Sequence, residues 1–97
     1  DQEYSKKIWK KIRENRTHLQ DRLTALGLPS NPSQSNFVLA EIDNQGVDAH
    51  SLYLSLKEEQ IFVRYFQDDL LNNKLRITVG TEEQNESLIK AIERIIR

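Results

Sequence analysis

The chain has 97 residues and a formal charge of -1, with 37% hydrophobic and 30% charged residues. That suffices for one domain with a modest core, and the small net charge gives no bulk attraction to nucleic acid or to an anionic membrane, so anion binding has to be local. The lack of cysteine excludes a disulfide framework and a thiolate metal site, and nothing implies an oxidising compartment.

Along the chain, Tyr4, Ile8, Ile12, Leu19, Leu23 and Leu26 recur at helical spacing, and Gly27 followed by Pro29 supplies a stop, so a long amphipathic helix is expected. Its basic residues Lys6, Lys7, Lys10, Lys11 and Arg13 are interspersed with Asp1, Glu3, Glu14 and Asp21, the pattern of a solvated face rather than of a nucleic-acid contact. Trp9, at the edge of the apolar stripe, is expected to pack rather than to stack on a base. Leu28 to Asn36, rich in Ser, Pro and Asn, reads as a loop. It delivers Phe37-Val38-Leu39-Ala40-Glu41-Ile42, whose continuous apolar start predicts a strand covered on both faces. Asp43 to Val47 is a turn or short loop. Asp48 can cap a second helix in which Ala49, Leu52, Tyr53 and Leu56 form the buried stripe and Lys57, Glu58 and Glu59 the wet face.

Two strand-like runs follow, and each carries an arginine. In Ile61-Phe62-Val63-Arg64-Tyr65-Phe66, alternation puts Ile61, Val63 and Tyr65 on one face and Phe62, Arg64 and Phe66 on the other. In Leu75-Arg76-Ile77-Thr78-Val79, the aliphatic residues share a face and Arg76 and Thr78 share the opposite one. If the runs pair as a hairpin through the polar segment Gln67 to Lys74, both arginines can stand on one face of one sheet. Two cations placed so repel unless an anion joins them, and a guanidinium fork on a rigid strand suits a carboxylate or phosphate. The plain alternative is an arginine on the wet side of a half-exposed sheet. Thr81-Glu82-Glu83-Gln84 then has the form of a capping box, and Leu88, Ile89, Ile92, Ile95 and Ile96 bury one side of a last helix.

The order is therefore helix-strand-helix-strand-strand-helix, an α/β, α+β-like small domain whose simplest architecture is a three-stranded sheet with three helices packed on one face. His18 and His50 have no neighbour at ligand spacing, so no metal site is expected. No run approaches the roughly 18 consecutive apolar residues of a membrane span, and no apolar signal core opens the chain. A soluble cytoplasmic protein is expected. Because the chain starts at Asp1 and lacks methionine, it is expected to be a piece of something longer.

The blocks Pro32-Ser33-Gln34-Ser35-Asn36-Phe37-Val38-Leu39, Ile61-Phe62-Val63-Arg64-Tyr65-Phe66, Leu75-Arg76-Ile77-Thr78-Val79-Gly80-Thr81 and Glu83-Gln84-Asn85 stand in the order and spacing of the C-terminal domain of histidinol-phosphate aminotransferases. The chain resembles that family from about Leu26 to its end and more loosely in the first helix. The resemblance implies one small C-terminal domain over residues 1–97, with a mostly antiparallel sheet lying against a large pyridoxal-phosphate-binding domain that is not in this chain. It implies a full-length homodimer that moves an amino group between histidinol phosphate and 2-oxoglutarate, with glutamate as co-substrate, in histidine biosynthesis.

By the same resemblance the catalytic Schiff-base lysine lies upstream, so this piece alone is expected to be inactive and to bind no pyridoxal phosphate. Arg76 would pair with the substrate carboxylate and Arg64 with the phosphate or distal end, with Phe62, Arg64, Phe66, Arg76 and Thr78 facing the large domain. Asn36 is a possible substrate contact, although an asparagine before a strand is more often a turn or cap residue. The residues themselves agree that cofactor chemistry is carried elsewhere. Lys57 and Lys90 fall on helix surfaces, Lys74 in a loop before a strand, and Gly27, Gly46 and Gly80 form no phosphate loop. Two alternatives remain: an aromatic-amino-acid aminotransferase or threonine-phosphate decarboxylase with similar blocks, and a non-enzymatic binding module. An RNA-binding sheet would display aromatics on adjacent strands with a basic surface, whereas here Phe62 and Phe66 share one strand.

Overall fold

A computed structural model describes residues 2–31, 36–42 and 46–96. In chain order its elements are α1 (Gln2–Ala25), β1 (Phe37–Glu41), α2 (Ala49–Glu58), β2 (Arg64–Tyr65), β3 (Lys74–Thr78) and α3 (Glu82–Ile96). The strands form one sheet in the order β1-β3-β2, and both pairings are antiparallel. The β2–β3 pair is the expected hairpin. β1 and β2 run parallel to each other on either side of β3, so α2 crosses between them in a split β-α-β arrangement.

Local chemistry sets the ends of the helices. At Gly27, φ of +82 reverses the chain, while the Leu28 amide donates to the Leu23 carbonyl and the Gly27 amide to that of Thr24. This is a Schellman close in which Leu28 packs back on the helix, and both leucines are fully buried. α2 ends in the same way on Gln60, the one described non-glycine residue with positive φ, and Ile61 donates to the Leu56 carbonyl. At the start of α2 the Asp48 carboxylate accepts from the Ser51 amide at 2.7 Å. The capping box of α3 is closed on both sides: Thr81 N–H donates to Gln84 Oε1 at 2.9 Å and Gln84 N–H to Thr81 Oγ1 at 3.1 Å.

The core lies between the sheet and the three helices. Val38, Ala40, Leu75 and Ile77 point from the sheet into a layer of Leu19 and Leu23 from α1, Leu52 and Leu56 from α2, and Leu88, Ile89 and Ile92 from α3. Each such leucine or isoleucine contributes about 1.5–3 kcal/mol by leaving water. The buried polar side chain among the described residues is Asn85. Its Oδ1 accepts from Gly80 N–H at 2.9 Å, and its Nδ2 donates to the carbonyls of Gly80 and Asn15 at 3.3 and 3.5 Å. Asn15 Nδ2 also donates to the Gly80 carbonyl at 3.3 Å, so one carboxamide ties the end of β3 to α1 and α3.

Three expectations are corrected. β1 is covered on one face only: Val38 and Ala40 are buried, whereas Phe37, Leu39 and Glu41 are half-exposed, because every helix lies on the same side of the sheet. The second strand is two residues long rather than six. Ile61 commits its N–H to Leu56 in the α2 close, which draws residues 61–63 towards α2 and away from β3. The alternation nevertheless holds, with Ile61, Val63 and Tyr65 against the core and Phe62 exposed. Trp9 does not pack within the chain: it is 55% exposed, and Tyr4 and Ile8 beside it are 66% and 42% exposed. Of the two expected loops, 28–36 and 43–47, residues 32–35 and 43–45 lie outside the described residues.

Candidate functional site

The sheet face opposite the helices carries the two arginines. Arg64 on β2 stands directly across from Arg76 on the central strand β3, and Arg76 in turn stands across from Leu39 on β1. Direct partners in an antiparallel pair have Cβ atoms about 4.5–5.5 Å apart and project to the same side. The expected placement of both arginines on one face of one sheet is therefore present, at facing positions of neighbouring strands.

Each guanidinium rests on an aromatic ring. Arg64 lies over Phe66 at 5.4 Å and Arg76 over Phe37 at 5.1 Å. Phe66 comes from the residue after β2 on the same strand face, and Phe37 from the diagonal position on β1, since it pairs with Thr78. A ring below a cation supplies a negative quadrupole and fixes the side chain without using its N–H donors. The carboxylates of the described ion pairs are Glu41, Glu59 and Glu86, and none of them is paired to Arg64 or Arg76. Arg64 is exposed and Arg76 half-buried. The face thus holds two forks of N–H donors with apolar support and no described counter-charge on either.

Around this pair, Thr78 is exposed two residues along β3 on the same side. Glu41 and Lys74 close the other end of the face with a 2.7 Å ion pair. Lys74 is therefore the first residue of β3 rather than a loop residue. Asn36 lies just before β1; its carbonyl accepts from Val79 N–H at 2.7 Å, which is the strand-cap role. The structure does not bring His18 and His50 together: His18 is 3.9 Å from Glu86, and His50 stacks on Tyr65 at 4.9 Å on the helix side. Among the described residues no group of three or more His, Asp or Glu is arranged to hold a metal ion, and no helix is long and apolar enough to cross a membrane.

Two features of the face were missed by sequence reasoning. Phe37 beneath Arg76 depends on the register of β1 on β3, for which the sequence holds no local signal. The tie from Asn85 to Gly80 has a partial one, a polar residue on the apolar side of α3 five residues after a glycine. A Cβ on Gly80 would meet Gln84 Oε1 at 2.5 Å and Gln84 Cβ at 3.0 Å, so any larger residue there would displace the Gln84 side chain that closes the capping box. Arg76 is thereby carried on a strand with neighbours on both sides and a pinned end.

Residues 1–92 match the family model for aminotransferase class I and II. The chain belongs to that family. Among curated proteins it is similar to histidinol-phosphate aminotransferase 1 of Trichormus variabilis, 42% identical over 97 residues that make up 27% of that protein. It is 41% identical over the same length to histidinol-phosphate aminotransferase 1 of Oceanobacillus iheyensis, again 27% of that protein. Among solved structures, the histidinol-phosphate aminotransferase of Sinorhizobium meliloti in complex with pyridoxal-5'-phosphate aligns over 100% of this chain and 27% of that one, with a TM-score of 0.88 and 28% identity. The chain thus spans about a quarter of the length of the proteins it matches.

Proposed function

We propose that this chain is the small, substrate-orienting domain of a histidinol-phosphate aminotransferase, and that the face bearing Arg64 and Arg76 closes over the active site of the parent enzyme. The observation that carries this reading is the direct pairing of Arg64 with Arg76 on a face with no described counter-charge. An apposition of two cations costs free energy in a free domain and is offset only when an anion joins them. Amino transfer between histidinol phosphate and 2-oxoglutarate presents such anions in turn, a phosphate ester in one half-reaction and two carboxylates in the other.

The residues present do not fit a covalent site for pyridoxal phosphate. Lys6, Lys7, Lys10, Lys11, Lys57 and Lys90 are exposed on helices, Lys74 is engaged by Glu41, and the three glycines are dispersed through the fold. The cofactor, its lysine and the large domain therefore belong to the remainder of the parent enzyme, a homodimer by the same reading. What this chain contributes is orientation. Arg76, the more buried and more rigidly carried of the two, binds the α-carboxylate bidentately. Arg64, exposed at the sheet edge, receives the phosphate or the distal carboxylate. Thr78, exposed on the same face two residues from Arg76, adds a hydroxyl to its border. Held between two forks, a substrate loses rotational freedom before reaction, which is the source of the rate advantage.

Arg76→Lys in the parent enzyme keeps the charge but loses the fork. The Michaelis constant for glutamate is expected to rise tenfold or more in steady-state assays, with a smaller change in kcat. An unchanged constant removes Arg76 from the site. A parent enzyme that responds spectrally to phenylalanine or tyrosine but not to histidinol phosphate overturns the substrate assignment.

A further inference from the structure

The strand that carries Arg64 is held by little within the sheet. β2 is two residues long, lies at the sheet edge and registers with β3 at Arg64↔Arg76 and Tyr65↔Leu75. Just before it the chain is drawn off towards α2 by the bond from Ile61 N–H to the Leu56 carbonyl. So short a ladder is marginal support in water. A ring supplies the rest. Alternation sends Tyr65 to the side opposite Arg64, where its ring stacks on His50 at 4.9 Å and on Tyr53 at 5.9 Å, with interplanar angles of 29° and 28°. His50 and Tyr53 stand three residues apart on α2, on one face of one helix. That helix is itself well anchored: Ala49, Leu52 and Leu56 are buried, and Asp48 closes its first turn on the Ser51 amide at 2.7 Å. Tyr65 and Tyr53 are half-buried and His50 is exposed. Stacked rings attract one another beyond the area they bury and favour a definite geometry. Arg76 needs no such anchor, because β3 has a strand on each side and the Asn85 tie at its end.

We propose that Tyr65, seated on His50 and Tyr53, is a positioning residue for Arg64 and so sets the end of the site that takes the substrate's distal anion. This rests on the reading that Arg64 receives the phosphate or the distal carboxylate. Arg64 and Tyr65 share a planar peptide unit, so a displacement of one passes to the other. With its seat removed, Tyr65 no longer holds the edge strand against β3, and the guanidinium at the far end of the Arg64 side chain loses its place. A fork pairs with an anion only in a narrow geometry, and a displacement of about 1 Å can cost on the order of a hundredfold in rate. The three rings lie on the helix side of the sheet, away from the face that meets the anion. They act through Arg64 alone. The dependence is therefore selective: the distal anion feels the loss of the seat, and the carboxylate on Arg76 does not.

The test is steady-state kinetics on the parent enzyme with two amino donors of the same carbon skeleton, glutamate and 2-aminopentanoate, which lacks the distal carboxylate. Tyr65→Ala is expected to lower kcat/KM for glutamate relative to that for 2-aminopentanoate about tenfold, through KM rather than kcat. Tyr65→Phe keeps the ring and should restore the ratio. Should Tyr65→Ala fail to fold, His50→Ala removes the exposed part of the seat and should lower the ratio about threefold. In an Arg64→Gln background neither change should lower it further, which separates action through Arg64 from general loosening. Equal losses for both donors, a Tyr65→Phe enzyme as impaired as Tyr65→Ala, or full effects that persist without Arg64 overturn the proposal. An Arg64→Gln enzyme that favours glutamate as strongly as the wild type defeats the reading of Arg64 itself. One whose preference falls while Tyr65→Ala and His50→Ala keep theirs defeats this inference alone.

Discussion

The direct pairing of Arg64 with Arg76 makes a quantitative claim about the free domain. Side chains fanning out from opposed positions place the two guanidinium centres on the order of 7 Å apart. At that distance two unit charges repel by about 0.6 kcal/mol in bulk water and about 1.2 kcal/mol at half its dielectric constant, the range suited to a sheet face with one exposed and one half-buried member. A single substitution cannot read this term, because Arg64→Gln also removes a ring contact with Phe66 worth about 0.5–1 kcal/mol. A double-mutant cycle can, since each arginine sits on a different ring, Phe66 or Phe37. We expect urea unfolding of the wild type, Arg64→Gln, Arg76→Gln and the double variant at low salt to give an unfavourable coupling of about 0.6–1.2 kcal/mol. It should shrink several-fold in 1 M NaCl, where the screening length is about 3 Å. Inorganic phosphate at about ten times its dissociation constant should stabilise the wild type by about 1.4 kcal/mol and the double variant hardly at all. A coupling of zero, or one that favours the pair at low salt, would refute the argument that this face is built for an anion.

Two further outcomes follow from the fold. Asn85→Ala leaves Gly80 N–H and the Asn15 carbonyl without this partner in a part-buried place. The cost is expected to be about 2–3 kcal/mol, or a fall in Tm on the order of 10–15 °C for a domain of this size, measured by circular dichroism; a change under about 0.5 kcal/mol would show that the tie is incidental. The Asp48 carboxyl is held below its ordinary value of 3.8, chiefly by the hydrogen bond from the Ser51 amide. Because protonation removes the charge that strengthens that bond, the carboxylate's extra stabilisation of α2 is complete above the ordinary value and is lost as pH falls through the lowered one. Wild type should therefore lose more stability than Asp48→Asn between neutral pH and the acid limb, and parallel pH profiles would contradict this.

The elements legible in the sequence are those governed by close neighbours along the chain. Gly27, the Thr81–Gln84 box and Asp48 act within a few residues through backbone donors and acceptors, and the helical spacing of Leu52 and Leu56 or Leu88 and Ile92 records a buried face directly. The alternation around Arg64 and Arg76 likewise reports which side each takes, because a strand reverses side with every residue whatever its partner. The length of β2 is not legible, since it depends on Ile61 giving its N–H to Leu56 rather than to a ladder.

What the sequence alone determined, then, is the list of elements, the side on which each arginine stands and the family the chain resembles. The tertiary structure decided that β3 lies in the middle, that Phe37 comes to rest under Arg76, and that the first turns of α1 and one whole sheet face are left uncovered. Those outcomes depend on contacts between residues far apart in the chain, where strand register and helix docking are settled by packing volume and not by local preference.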